Sequence, residues 1–245
     1  AYDRRQLHMC IRYRFYPTQV METGYDILPF WVMRMLMMGK YVTGKLPFTN
    51  VYLHGLVRDQ KGQKMSKSKG NVVNPLDIAE KYGSDALRMA LVIRSSAGLD
   101  KSVSEQDFKA MRNFSNKIWN ASRFILEYLD LSQGGETKIN KKFEEKLITV
   151  TDAITKNLDK FQIGLAAETV YSEFWHWFCD EQIEIAKGGS LGGKELVKGL
   201  KQFLILLHPF VPFVTEAVWQ ELKNKELVKD SLLITTSWPT KNLAE

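Results

Sequence analysis

Lys64-Met65-Ser66-Lys67-Ser68 lies between Gly62 and Gly70, and the reading of this stretch decides the fold. It places two ammonium groups on a loop that two glycines leave free to move, and a helix start follows closely at Asn74-Pro75. Such a loop suits an anion whose charge must be met late in a reaction, above all the phosphates of a nucleotide. Lysine acts here as a compact point charge on a swinging stem, unlike the rigid fork of arginine. By composition alone an ordinary solvated Lys/Ser loop fits as well, so the surroundings must decide.

The run resembles the Lys-Met-Ser-Lys-Ser signature of class I aminoacyl-tRNA synthetases. The likeness extends through Lys69-Gly70-Asn71 into Asn74-Pro75-Leu76-Asp77 and Tyr82-Gly83-Ser84-Asp85-Ala86-Leu87-Arg88. Upstream, Thr23-Gly24-Tyr25-Asp26-Ile27-Leu28-Pro29-Phe30-Trp31 resembles the segment specific to the valyl branch, and His54-Gly55-Leu56-Val57 fits it too. Isoleucyl and leucyl relatives usually differ around the position of Asp26. The resemblance covers about residues 15 to 239.

Composition bounds the rest. A chain of 245 residues, 44% apolar, can bury one large core or two ordinary ones. Its 34 basic against 28 acidic residues give +6, which favours a polyanionic partner without proving one. Cys10 and Cys179 lie far apart and outside any metal-ligand spacing, as expected of reduced thiols in a cytoplasmic protein. No apolar run approaches a membrane span, and no signal-peptide pattern is present. Phe203-Leu204-Ile205-Leu206-Leu207 is short and ended by His208-Pro209, so it reads as a buried helix.

The expected fold is α/β followed by all-α: the C-terminal part of a Rossmann-like class I catalytic domain, then an α-helical anticodon-binding bundle. Residues 1–14 do not resemble the family and are set aside as a remnant, 15–98 form the catalytic part with the lysine loop, and 99–245 form the bundle. Gln19 to Glu22 reads as a strand, Asp26 to Met38 as a Met-rich helix ending at Gly39, and Val51 to His54 as a second strand. Asn74 caps a helix with Pro75 in its first turn, Gly83 stops it, and Ser84-Asp85 restarts helix. Ser95 to Asp100 reads as a linker. Beyond Ser104, Phe108, Met111, Phe114, Ile118, Ile125 and Leu129 recur at helical spacing. Gln133-Gly134-Gly135 interrupts the pattern, and helices follow over about 143–158, 163–186, up to 207 and 215–222. Gly188-Gly189 and Gly192-Gly193 read as a flexible joint, and the whole as a bundle of four or five helices.

Attack of an amino-acid carboxylate on the α-phosphate of ATP builds charge on oxygen and on departing pyrophosphate. Cations that tighten in the transition state lower that barrier, with no covalent enzyme intermediate. The resemblance makes Lys64 and Lys67 those cations, with Ser66 and Ser68 as further phosphate donors. Gly24 at a strand end admits a ligand to the backbone, and Asp26 can bind ribose hydroxyls or an ammonium group, although capping a helix is the commoner use of such an aspartate. Ile27 and Trp31 share a helical face and would be core by default; the resemblance makes them walls of the valine pocket. A lone histidine such as His54 is usually only packed and hydrogen-bonded. Family likeness assigns the His54-Gly55 turn to adenine, chiefly through its backbone.

Opposite the apolar stripe of the first bundle helix lie Lys109, Asn113, Asn116, Asn120 and Arg123, flanked by Arg112 and Lys117, with no acid between Lys109 and Arg123. Cations and amides on one face suit phosphate contacts and base-edge hydrogen bonds, though most such faces are merely solvated. The resemblance points them at tRNA(Val). Phe174, Trp175, Trp177 and Phe178 could stack bases, but their helical context favours core.

None of His8, His54, His176 or His208 sits in the family's His-x-Gly-His element, and the inserted editing domain is not in the sequence. That domain answers a limit of apolar pockets, which reject a hydroxyl-bearing isostere weakly; valine against threonine is the usual illustration. The resemblance therefore implies the C-terminal half of a class I valine–tRNA ligase, unable to form adenylate alone. It uses ATP with Mg2+ as substrate, without a protein-bound metal, and takes valine and tRNA(Val) as partners, with no membrane. The alternatives are a stand-alone tRNA-binding module without catalysis, or a synthetase for isoleucine or leucine.

Overall fold

The computed structural model describes residues 14–66, 70–131 and 137–239; Cys10 and the Gln133-Gly134-Gly135 break lie outside them. Strand β1 (Thr18–Gly24) pairs in parallel with β2 (Phe48–His54), from Thr18 opposite Phe48 to Gly24 opposite His54. Parallel neighbours need a crossover, and here it is helical. A 3-10 turn (Tyr25–Ile27) and a π-helical turn (Leu28–Val32) lead into α1 (Met33–Thr43). This helix passes through Gly39 rather than ending there. A side chain at Gly39 would come within 2.9 Å of the Tyr16 hydroxyl and 3.2 Å of Pro47, so the glycine serves close packing. The stop is Gly44, at φ +71°, whose N–H reaches Lys40 O at 2.9 Å. The expected Met-rich packing is also absent among the described residues: Met37, Met38 and Tyr41 are exposed, and of Leu28–Val32 only Val32 is buried.

Strand β3 (Val57–Arg58) follows, then α2 (Pro75–Tyr82) and α3 (Ser84–Val92). Asn74 caps α2 by accepting from Leu76 N at 3.1 Å, with Pro75 at the first position and Gly83 at φ +93° beyond the end. The segment expected as a linker is pinned. Gly98 N donates to Leu53 O at 2.8 Å, and β4 (Lys101–Ser102) pairs in parallel with β3. A side chain on Gly55 would fall 1.8 Å from Leu99 O, so only glycine lets the connector lie so close to the strand end.

The bundle comprises α4 (Glu105–Leu131), α5 (Thr137–Asp159), a continuous run of α6 (Ile163–Ser172), a π-helical stretch (Glu173–Gln182) and α7 (Ile183–Lys187), then α8 (Gly193–Leu207) and α9 (Pro212–Asn224). Ser104 starts α4 with its hydroxyl accepting from Asp107 N, while the Asp107 carboxylate accepts from Ser104 N at 2.8 Å, a reciprocal cap. Phe114, Phe174, Phe178 and Phe203 are fully buried, with centroids 5.1 Å apart for Phe178–Phe203 and 5.5 Å for Phe174–Phe203. Each such side chain contributes about 2–3 kcal/mol of burial. Trp175 and Trp177 pack against this core half-buried, which settles the aromatic cluster as structural. Cys179 is free and buried, its thiol pushed up to about 12 by desolvation.

Among the contacts that join the halves, two fasten α3 to the start of α9. Asp85 of α3 accepts from Phe213 N at 3.1 Å and Val214 N at 2.7 Å, capping α9 from outside its own segment. Arg88 donates to the carbonyls of Pro209 at 3.0 Å and Phe210 at 3.4 Å.

Candidate functional site

The lysine loop grows out of β3 through a tight hairpin. Asp59 N donates to Gln63 O at 3.1 Å, Gly62 N to Asp59 O at 2.9 Å, and Asp59 Oδ1 accepts from Lys61 N and Gln63 N. Gly62 at φ +74° and Gly70 at φ +65° supply left-handed backbone; at these two positions glycine makes turns, beyond the mobility expected of it. Lys64 forms an antiparallel bridge with Arg58 and leaves its side chain exposed. Asn71 then reaches back. Its Oδ1 accepts from Ser66 N at 2.9 Å, and its Nδ2 donates to Asp59 Oδ2 at 2.9 Å and to Lys64 O at 3.4 Å. The Asn71 amide, ahead of the Gln63 N–H, holds the Asp59 carboxyl below the usual carboxylate range. Lys67 and Ser68 lie outside the described residues.

A second carboxylate ties this root to β1. Asp100 accepts from Leu56 N at 2.8 Å and from Arg58 Nε at 2.5 Å, and it interacts electrostatically with the Tyr25 phenol. The Leu56 N–H leads the groups that keep Asp100 below the ordinary range, while its carboxylate raises the Tyr25 phenol. Tyr25 sits between Gly24 and Asp26, so one carboxylate links the expected nucleotide floor to the strand that carries the lysine loop. On that floor Gly24 is buried, and a side chain there would meet Asp26 Oδ1 at 2.8 Å and His54 Cε1 at 3.5 Å. The structure thus brings Gly24, Asp26 and His54 together. His54 Nδ1 donates to Gly55 O at 2.8 Å, since a carbonyl only accepts, and Nε2 lies 3.4 Å from Glu22. The α-carbon of Gly55 faces the Leu99 backbone. Ile27 and Trp31 are 40% and 54% exposed, so the described residues do not enclose a pocket around them.

On α4, Lys109, Asn113, Asn116, Asn120 and Arg123 are all exposed along one face, Arg123 with a long 3.8 Å pair to Glu127. The flanking cations are engaged. Lys117 pairs with Asp180 at 2.9 Å and stands 5.3 Å over the Trp175 ring. The Arg112 guanidinium lies 5.7 Å over Tyr82, with Nε buried and unpartnered among the described residues. Absence of acids along the helix therefore does not mean absence of acids beside it.

A cleft of about 640 Å³ separates the root of the lysine loop from the start of α4, lined among others by Asp59, Met65, Asn71, Tyr82 and Phe108. A larger one, about 870 Å³, lies where β2, Arg94 and Phe161 meet, and none of the sequence-predicted residues lines it. Among the described residues, none of the sequence-predicted site residues lines the smaller cleft either. Sequence reasoning missed Tyr25, Arg58, Asp59 and Asp100 as site-building residues. Asn71 stood inside the quoted motif without a role, whereas nothing in the local sequence of Asp100 announces contacts more than forty positions away. No group of three or more His, Cys, Asp or Glu that could hold a metal ion occurs among the described residues, and no described helix is long and apolar enough to cross a membrane.

Comparison with known proteins bears on this arrangement. The family model described as tRNA synthetases class I (I, L, M and V) matches residues 9–104, starting inside the stretch set aside as a remnant. The model for the anticodon-binding domain of tRNA ligase matches residues 140–245, so α4 falls between the two. A valine–tRNA ligase of Pelagibacter ubique is 45% identical over 242 residues, and one of Dehalococcoides mccartyi 41% over 239, covering 93% and 92% of this chain. The chain spans only about 28% and 27% of those relatives, less than the half expected. A crystal structure of a LeuRS from Agrobacterium radiobacter K84, in ternary complex with tRNA and LeuAMS, superposes with a TM-score of 0.77 at 22% identity. It covers 92% of this chain and 29% of its own, and it bears on the fold alone. The fold is accordingly a class I catalytic-domain fragment followed by an anticodon-binding domain. With two consecutive family models along it, the chain is built like part of a class I tRNA synthetase, and over nearly its whole length it is similar to valine–tRNA ligases.

Proposed function

We propose that the chain is the lysine-loop and tRNA-binding portion of an ATP-dependent valine–tRNA ligase of the cytoplasm. The observation that carries this is the 45% identity to a valine–tRNA ligase through both the loop and the bundle. The valine carboxylate attacks the α-phosphate of ATP, brought as its Mg2+ complex, and the bond to pyrophosphate breaks. Lys64 and Lys67 meet the charge that grows on the departing phosphates, with Ser66 and Ser68 as further donors. Gly24, Asp26 and the His54-Gly55 turn form the nucleotide floor, which Asp100 ties to the loop's strand through Tyr25 and Arg58. Ile27 and Trp31 face the valine side chain. The exposed face of Lys109, Asn113, Asn116, Asn120 and Arg123 contacts tRNA(Val), with Arg112 and Lys117 bracing it; an exposed row of cations and amides supports this reading.

The test is amino-acid-dependent ATP–pyrophosphate exchange by the full-length enzyme that contains this segment. Exchange driven by valine, with little response to isoleucine or leucine, is the expected result; exchange driven by leucine would reject the assignment. In parallel, a gel-shift assay should show tRNA(Val) binding weakened when its anticodon is altered. Equal binding of every anticodon would reject base reading by the bundle.

A further inference from the structure

Asn71 spends three of its four hydrogen-bonding positions on closing the lysine loop. Its carbonyl oxygen takes the Ser66 N–H, and its two N–H donors go to Asp59 and to the Lys64 carbonyl. The amide cannot be turned round. Ionised Asp59 only accepts, and its other oxygen is already occupied by the Lys61 and Gln63 N–H groups. A flipped amide would face oxygen to carboxylate and N–H to N–H. The backbone of Lys64 is therefore held from two sides, by the bridge to Arg58 and by Asn71, while its ammonium group is left exposed.

We propose that Asn71 is a positioning residue for adenylate formation, and that Asp59 sets the orientation in which it works. The clasp fixes where the Lys64 side chain leaves the backbone, and so where its charge is delivered; a misplacement of about 1 Å in such a group costs roughly 100-fold in rate. Neither residue touches the reacting atoms. This rests on the reading that Lys64 serves the departure of pyrophosphate.

The experiment is valine-dependent ATP–pyrophosphate exchange by the full-length enzyme, with thermal melting of each variant. Asn71→Ala removes all three hydrogen bonds and should lower kcat by about tenfold or more, with KM for valine within about twofold. Asn71→Asp, almost the same shape, places two carboxylates together and should lose at least as much. The exchanged pair Asp59→Asn with Asn71→Asp puts the donor on position 59 and the acceptor on position 71. It restores the bond between positions 59 and 71 and the acceptor for Ser66 N but not the bond to Lys64 O, so it should recover part of the loss, about tenfold over Asn71→Asp, a result that generic damage to a turn does not give. Wild-type kcat in Asn71→Ala, or no recovery in the exchanged pair, would overturn the proposal while leaving valine activation intact. A wild-type enzyme without valine-dependent exchange would overturn the functional reading and this role together.

Discussion

Asp100 shows how much one side chain can organise. Leu56 N–H and Arg58 converge on it and, with the Tyr25 phenol, hold its carboxyl below the ordinary range. Asp59 is depressed likewise, by Asn71 and the Gln63 N–H. Both are acids whose folded-state value lies below the unfolded one, about 3.9. Their stabilisation is therefore present above that value and lost as pH falls through the depressed folded-state values. Denaturant unfolding measured from pH 6 down to pH 2 should show stability falling, and Asp100→Asn should flatten that fall while lowering stability at pH 6. An unchanged acid limb in the variant would contradict the arrangement. At this scale the sequence was legible only where the partner was near. Asn74 reads as a cap because its partner, Leu76 N, is two residues away, whereas Asp100 depends on Leu56 and Arg58, 44 and 42 positions away. Gly39 was misread because glycine serves both as a stop and as a place for close packing.

Helix α4 carries both free-standing and braced cations. Lys109 is exposed and unpaired in any described salt bridge, whereas Lys117 is held by Asp180 and Trp175. Lys109→Ala in the full-length enzyme should weaken tRNA binding and reduce the slope of log affinity against log salt by about 0.7–0.9, the share of one phosphate contact. Lys117→Ala should leave that slope within about 0.3 of wild type and act on stability, by about 0.5–1 kcal/mol. Equal slope changes in the two variants would reject the division. Filter-binding titrations between 50 and 200 mM salt supply the measurement. The period of Phe108, Met111, Phe114, Ile118 and Ile125 marked the buried side of this helix from sequence alone, because burial there follows the helical repeat. Which surface cations are already paired was not legible, since Asp180 lies on another element.

Across the whole molecule, the contacts that join the α/β part to the bundle include those between Gly83–Arg88 and residues 209–214. Asp85 satisfies two N–H groups at the start of α9, and burial pushes its carboxyl up despite them. Asp85→Ala should cost about 2–3 kcal/mol by leaving those donors unpaired in a buried site, read from denaturant unfolding; a loss under 0.5 kcal/mol would contradict the joint. The two-part order of the fold was legible because strand and helix periods change at Ser104. The docking of the connector between the parts was not, since it rests on backbone contacts far apart in sequence, such as Gly98 N–H to Leu53 O and the approach of Gly55 to Leu99. The account as a whole stands on the two lysines of the loop. Valine-dependent ATP–pyrophosphate exchange by the full-length enzyme carrying Lys64→Ala and Lys67→Ala tests it most directly. The account predicts a fall in kcat of at least about 100-fold with little change in KM for valine, the cost of removing charge stabilisation from the transition state. Exchange at the wild-type rate would contradict it.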